Sequence, residues 1–299
     1  MNLRIYNINS IKYHNDKILC LLLLKDKRLI SSSKDCNINI YNNISFEKDF
    51  SINNDSAINF ITQLKDEKII SCDYNSRIKI YILFSKSYNL FQIIKQNNII
   101  NKIIELNNLN LISCSKIEKI TIYKKNNNNN FYEKIKIIKG KNSIDDIIEI
   151  KNNICVFSQC FHNMILFWSF INKKTIKKIY NVSCNNNNNI LCLVNENILL
   201  VAGFNYITII NNEKMEILNE INFYNNYWFY SICKLNENYV ILSNSLGVLF
   251  ICYYKDEMIY IKEIIKGHND IIPCIISKNN KIYSCSYDNL IKCWSLCFL

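Results

Sequence analysis

Glycine is scarce in this chain: its 299 residues contain only four. That scarcity excludes loops in which the backbone must approach a phosphate closely, and neither a Gly-rich phosphate loop nor a G-x-S-x-G nucleophile turn is present. The HExxH pattern is missing as well, so no catalytic cluster is legible and the chain is not expected to be an enzyme. Histidine is limited to three residues, at 14, 162 and 268, and the 14 cysteines contain no CxxC pair. The nearest approaches, Cys155 with Cys160 and Cys293 with Cys297, do not have zinc-site spacing, and neither metal nor cofactor is expected. Long apolar runs are also lacking, since the longest, Ile18 to Leu24, is far too short to span a bilayer. Residues 1–12 show no apolar segment behind a basic start, so no signal peptide is read there. The expectation is a cytoplasmic or nuclear protein with no membrane insertion.

What the chain does have is a repeat. Hydrophobic residues make up 49% of it, ample for a core, and a length of this size suits one large all-β domain. Short apolar stretches such as Ile18 to Leu24, Lys27 to Ser33 and Asn37 to Asn42 are separated by Asn, Asp, Lys and Ser. They are strand-like in length and in their Ile and Tyr content, whereas an amphipathic helix needs a 3.6 period sustained over ten or more residues. Aligning the stretches on a closing aromatic or apolar residue gives positions 41, 81, 123, 168, 210, 253 and 294. Each copy reads Ser, then a turn residue, then the closing residue: Ser31–Asp35–Tyr41, Ser71–Asn75–Tyr81, Ser113–Ile117–Tyr123, Ser158–His162–Trp168, Ser243–Gly247–Tyr253 and Ser284–Asp288–Trp294. The copy Leu200–Phe204–Ile210 keeps the spacing without the polar signature. A unit of some forty residues repeated seven times predicts four strands per unit. The last unit is one strand short and the first is preceded by an unpartnered LRIYNI run, so residues 1–13 are expected to complete the last sheet and close a ring.

The string GH (Gly267, His268), SCSYD (Ser284 to Asp288), IKCW (Ile291 to Trp294) resembles the WD40 repeat, and a second copy runs from His14 through Ser31 and Asp35 to Tyr41. The resemblance covers the chain by period, with its polar signature nearly complete only at the two ends. The Asp that follows the closing Trp in the family is absent: Ser295 follows Trp294 and Ser169 follows Trp168. The resemblance implies one seven-bladed β-propeller domain, 1–299, with four strands to each blade. It also implies that His268, Ser284, Asp288 and Trp294 form a buried hydrogen-bonded set, and that His14, Ser31, Asp35 and Tyr41 form another. A Ser, a His and an Asp in one set could be read as a catalytic triad; the resemblance makes them a fold lock instead.

Cysteine follows the repeat. Cys72, Cys114 and Cys285 hold the same place between two Ser-like positions, and Cys20, Cys233 and Cys274 fall in first strands. That is the behaviour of reduced cysteine used as a small hydrophobe. The net charge of +11 raises the possibility of nucleic acid or an acidic surface as partner, but lysine is spread over most turns rather than clustered. The densest run, Lys173, Lys174, Lys177 and Lys178, is expected to be a solvated strand edge. The tracts Asn126 to Asn130 and Asn185 to Asn189 are expected to be mobile loop insertions.

In this family function resides on the rims and in the central channel. The position seven before each closing residue is expected on the top rim, giving Lys34, Tyr74, Lys116, Phe161, Gly203, Leu246 and Tyr287, with Trp228 at the entry to blade 6. Aromatics and cations on one rim suit a peptide with apolar and acidic anchors, because rigid aromatic rings lose little entropy on binding; each taken singly could equally be cover for a blade top. The expected role is a non-catalytic scaffold or adaptor for protein or peptide partners, monomeric or part of a hetero-complex. The alternative is an obligate subunit of a coat, pore, ubiquitin ligase or RNA-processing assembly, with nucleic acid the less favoured partner.

Overall fold

The computed structural model describes residues 3–42, 44–115, 119–139, 143–151, 154–159, 164–169, 174–179, 189–223 and 226–298. Every regular element among them is a strand, and the strands form seven four-stranded antiparallel sheets. Blade 1 is Ile18–Leu23, Leu29–Ser33, Asn37–Tyr41 and Lys48–Asn53; blade 2 is Ile58–Gln63, Ile69–Asp73, Arg77–Leu83 and Tyr88–Lys95. Blade 3 is Ile100–Glu105, Leu111–Ser115, Lys119–Lys125 and Tyr132–Lys139; blade 4 is Ile144–Glu149, Ile154–Gln159, Met164–Ser169 and Lys174–Ile179. Blade 5 is Ile190–Leu193, Ile198–Ala202, Tyr206–Asn211 and Glu216–Asn222; blade 6 is Phe229–Lys234, Tyr239–Asn244, Val248–Lys255 and Met258–Lys266. Blade 7 joins Cys274–Lys278, Lys281–Cys285 and Ile291–Phe298 to the N-terminal strand Leu3–Ile11, which pairs antiparallel with Ile291–Phe298 as its outer strand. The first strands pack side by side around the ring, and that of blade 7 lies against that of blade 1. The fold is a seven-bladed β-propeller, closed between the chain's two ends.

There is no single central core. Seven apolar clusters fill the seven seams between neighbouring blades. The second strands are accordingly buried along almost their whole length, as in Leu29–Ser33, Ile69–Asp73 and Leu111–Ser115. A strand covered on both faces reads as a continuous apolar run and not as an alternation, which is the pattern these segments carry. The outer strands are mostly exposed, as in Lys48–Asn53 and Tyr88–Lys95.

The shortage of glycine leaves a mark on the turns. Lys27, Glu67 and Leu109 sit at φ 73, 70 and 65° between first and second strands, and Cys36, Ser76 and Asn289 at φ 67, 59 and 67° between second and third. These left-handed positions are where glycine costs least. Gly247 occupies one of them at φ +72°, and a Cβ there would lie 2.2 Å from the His268 carbonyl oxygen, so this site admits no side chain. The Asn126–Asn130 tract, expected to be mobile, is a hydrogen-bonded turn, with Asn126 N–H donating to the Phe131 carbonyl at 2.7 Å. Residues 185–188 of the other tract lie outside the described residues.

Candidate functional site

The buried polar sets at the two ends of the chain share one geometry. In blade 7 the Trp294 Nε1–H donates to Ser284 Oγ at 2.8 Å, Ser284 Oγ lies 2.8 Å from His268 Nε2, and His268 Nδ1 lies 2.9 Å from Asp288 Oδ2. The only arrangement that satisfies every atom runs one way, with indole N–H to hydroxyl, hydroxyl to Nε2, and Nδ1–H to carboxylate. Asp288 also accepts from the backbone N–H groups of Asn269 and Leu290. In blade 1 Tyr41 replaces the indole: Tyr41 Oη to Ser31 Oγ is 3.0 Å, Ser31 Oγ to His14 Nε2 is 2.7 Å, and His14 Nδ1 to Asp35 Oδ2 is 2.8 Å. Burial pushes the Asp35 and Asp288 carboxyls up, but the histidine and backbone donors outweigh it and hold both down at about 2. Burial also pushes the Tyr41 phenol up to about 12. Each hydroxyl and imidazole is committed to an internal partner, and His14 and His268 are 2% exposed. The Ser and His side chains are closed to solvent, and their hydrogen bonds tie the strands of each blade to the loop that carries the histidine.

The lock degrades along the chain. Blade 3 keeps the Ser113–Tyr123 contact at 3.1 Å. Blade 2 replaces the histidine relay with a cluster of ion pairs: Asp73 takes Arg77 Nε at 2.8 Å, and Asp55 takes Arg77 Nη1 at 2.6 Å and Lys79 Nζ at 2.8 Å. In blade 4 the sequence alignment of Ser158 with Trp168 does not hold in space. Trp168 pairs with Cys155 and Ser158 with Ile165, a one-residue slip relative to Ser31 opposite Asn39. Because side chains alternate faces, the slip puts Trp168 and Ser158 on opposite sides of the sheet. Among the described residues Trp168 Nε1 has no partner, and Ser158 Oγ donates instead to the Asn189 carbonyl at 2.7 Å. In blade 6 Ser243 lies opposite Leu249, the place that Ser32 holds opposite Ile38 and one position nearer the turn than Ser31, and its hydroxyl bonds the Ile272 carbonyl of the next blade at 2.7 Å. Like the Ser158 bond to Asn189, it reaches the following blade, whereas Ser33 and Ser286 bond the Lys17 and Asp270 carbonyls ahead of their own first strands.

The accessible feature is the central cavity, of about 960 Å³. In five blades the first strand bulges: the register shifts between Ile18 and Cys20, Ile58 and Phe60, Ile100 and Lys102, Ile144 and Asp146, and Phe229 and Ser231. The extra residue in each, Leu19, Asn59, Asn101, Asp145 or Tyr230, lines the cavity, as expected of bulges that re-aim a side chain. Three of them also tie one blade to the next. Asn59 Nδ2 donates to the Ile100 carbonyl, Asn101 Nδ2 to the Ile144 carbonyl at 2.8 Å, and Asp145 accepts from Asn189 N–H at 3.2 Å. Lys102 and Asp146 form an ion pair across blades 3 and 4 at 2.5 Å. Burial works against the Lys102 ammonium, and the adjacent Asp146 carboxylate reverses the sign and raises its pKa.

Of the rim residues read from sequence, Tyr74, Tyr287 and Trp228 line this cavity, and Tyr230 joins them. Burial, with Tyr74 and Tyr230 nearby, pushes the Tyr287 phenol up to about 12, and Lys17 Nζ lies 4.7 Å from its ring centroid. Trp228 packs on Phe204 with the rings tilted by 49° and 4.7 Å between centroids. Lys34 and Leu246 are exposed away from the cavity lining, and Gly203 is buried. For Leu246 the reason is the blade 6 register: Ser245, whose N–H bonds the Trp228 carbonyl, occupies the place that Lys34, Tyr74 and Tyr287 hold in their blades. Lys116 and Phe161 lie outside the described residues, as do His162 and Lys173. Lys177 and Lys178 are exposed on the outer strand of blade 4. Sequence reading missed Asn59, Asn101, Lys102, Asp145, Asp146 and Tyr230, because a bulge carries no signature in a single sequence. Their spacing of some forty residues, two after the first isoleucine of a strand in Lys102 and Asp146, is a signal that becomes visible only once the register is known.

The chain matches the family described as WD40: WD domain, G-beta repeat, over residues 6–42 and 260–295. No curated protein matches it. The two matched segments hold the two complete polar sets and meet at the blade 7 closure. With seven four-stranded blades between and around them, the chain is a seven-bladed β-propeller that carries WD40 repeats at its two ends.

Proposed function

WD40 propellers are in general protein-interaction scaffolds, and we propose that this one is a scaffold whose docking site is the aromatic mouth of its central cavity. The observation that carries the reading is convergence: Tyr74 from blade 2, Trp228 and Tyr230 from blade 6 and Tyr287 from blade 7 line one cavity with Phe60. Rigid aromatics in a concave, partly apolar site are what interface anchors require. Lys17 beside Tyr287 and Lys34 on the neighbouring rim favour a peptide or protein segment that pairs an apolar anchor with acidic residues. The test is affinity purification with the native chain and with the triple variant Tyr74→Ala, Trp228→Ala, Tyr287→Ala, followed by mass spectrometry and by binding measurements with the recovered partner. Loss of partners at an unchanged melting temperature supports the site, whereas full retention of every partner by a folded triple variant removes it.

A further inference from the structure

The seam where the ring closes carries a group of thiols. Cys20 lies on the first strand of blade 1 and Cys274 on the first strand of blade 7, strands that lie against each other, and both residues line the central cavity. Their sulfurs share one backbone oxygen: Cys20 Sγ lies 3.7 Å and Cys274 Sγ 3.8 Å from the Leu21 carbonyl. The Leu21 N–H donates to Cys274 Sγ at 3.4 Å. The Cys285 thiol, on the adjacent strand of blade 7, lies 3.8 Å from the Cys274 carbonyl, so three thiols gather at one point of the seam. The neighbouring thiols, Cys20 first and Cys285 next, outweigh burial and hold the Cys274 thiol well below the usual range, while Cys274 and burial raise that of Cys20. The pair therefore consists of one sulfur favoured as thiolate and one held as thiol, both open to a cavity that admits small solutes.

We propose that Cys274 is a modification site for hydroperoxides and that Cys20 resolves it into a disulfide joining the first and last blades. The Cys274 thiolate attacks the peroxide oxygen, the O–O bond breaks, and a sulfenic acid forms with release of hydroxide or alkoxide. The Cys20 sulfur then attacks the Cys274 sulfur, the S–O bond breaks, and water leaves carrying the Cys20 proton. In sum two thiols lose two electrons and two protons, and the peroxide is reduced by the same two electrons. The product ties together the two blades that are otherwise joined by the Leu3–Ile11 strand and by seam packing.

The test treats the full chain with one equivalent of hydrogen peroxide, quenches with iodoacetamide, and maps peptides without reductant. The expected result is a Cys20–Cys274 cross-linked peptide, unalkylated at both positions, that dithiothreitol returns to two alkylated peptides. The melting temperature should rise on oxidation and fall back on reduction. In the double variant Cys20→Ser, Cys285→Ser the sulfenic acid has no neighbouring thiol to resolve it and should be trapped on Cys274 by a cyclic 1,3-diketone, and Cys297→Ser should change nothing. The proposal is overturned if Cys20 and Cys274 of the native chain remain alkylated while the exposed Cys297 is consumed, or if the diketone labels the Cys20→Ser, Cys285→Ser variant elsewhere than at Cys274.

Discussion

Replacing Ser284 with Ala removes a single oxygen from the blade 7 relay and strands two groups at once. Trp294 Nε1 and His268 Nε2 both depend on that hydroxyl, each at 2.8 Å. Neither can turn to water, since Trp294 is 4% and His268 2% exposed. The indole is also held tightly, for a Cβ at Gly267 would sit 3.2 Å from its Cζ2. A buried donor or acceptor left unpaired costs about 1–3 kcal/mol, so the variant should lose about 2–6 kcal/mol. With about 2.1 cal/mol/K of unfolding entropy per residue, that loss lowers the melting temperature of a chain this long by roughly 3–10 °C. Ser31→Ala in blade 1 should cost less, because Asn39 Nδ2 lies 3.2 Å from His14 Nε2 and offers a second contact. Scanning fluorimetry on the two variants checks the order. A double-mutant cycle sharpens it: Trp294→Phe removes the indole N–H in advance, so Ser284→Ala in that background should cost about 1–3 kcal/mol less than alone. Strict additivity, or a Ser284→Ala melting temperature within about 1 °C of the native chain, where the entropy above requires roughly 3 °C or more, would refute the relay as the source of stability.

Further outcomes follow from the same structure. Asp35 and Asp288 are each held at about 2 in the fold, below the value of about 3.9 for a free Asp; a depressed carboxyl contributes stability above its unfolded pKa and loses it as pH falls through the folded one. Acid titration followed by circular dichroism should therefore show stability falling between about pH 4 and pH 2, and the double variant Asp35→Asn, Asp288→Asn should flatten that slope. Lys102→Met leaves the Asp146 carboxylate buried without its cation. It should cost about 3 kcal/mol in urea denaturation, the lower end for a broken buried pair, because the Ile147 and Leu191 N–H groups still reach the carboxylate; adding Asp146→Asn should recover part of the loss. Leu109 is exposed at φ 65°, so Leu109→Gly relieves left-handed strain of about 1 kcal/mol, and its melting temperature should equal or exceed that of the native chain.

The legibility of this chain tracks how much of each blade's polar set survives. His14 to Tyr41 and Gly267 to Trp294 announce both spacing and geometry, because a relay that satisfies every buried polar atom tolerates few alternatives. Blades 4 and 6 keep the spacing of Ser158–Trp168 and Ser243–Tyr253 but not the pairing. Apolar seams accept a shifted register wherever side chains of similar volume arrive on the right face, and Val156, Ile165 and Phe167 do so against blade 5. The rim assignment inherits this: Tyr74 and Tyr287, from blades in the common register, reach the cavity, and Leu246 does not.

The sequence by itself determined the period, the number of blades and the pairing of the N-terminal strand with the last blade. These depend on strand-length apolar runs, turn residues and the need to cover an open edge, all of which are local or countable. Tertiary structure alone decided what faces the channel. A bulge in the first strand of a blade re-aims one residue by closing the ladder around it, and whether Asn59, Asn101, Asp145 or Tyr230 is that residue depends on the register of a partner strand. The meeting of Cys20 with Cys274 is of the same kind: 253 positions separate Leu21 from Cys274, and only closure of the ring puts them in contact.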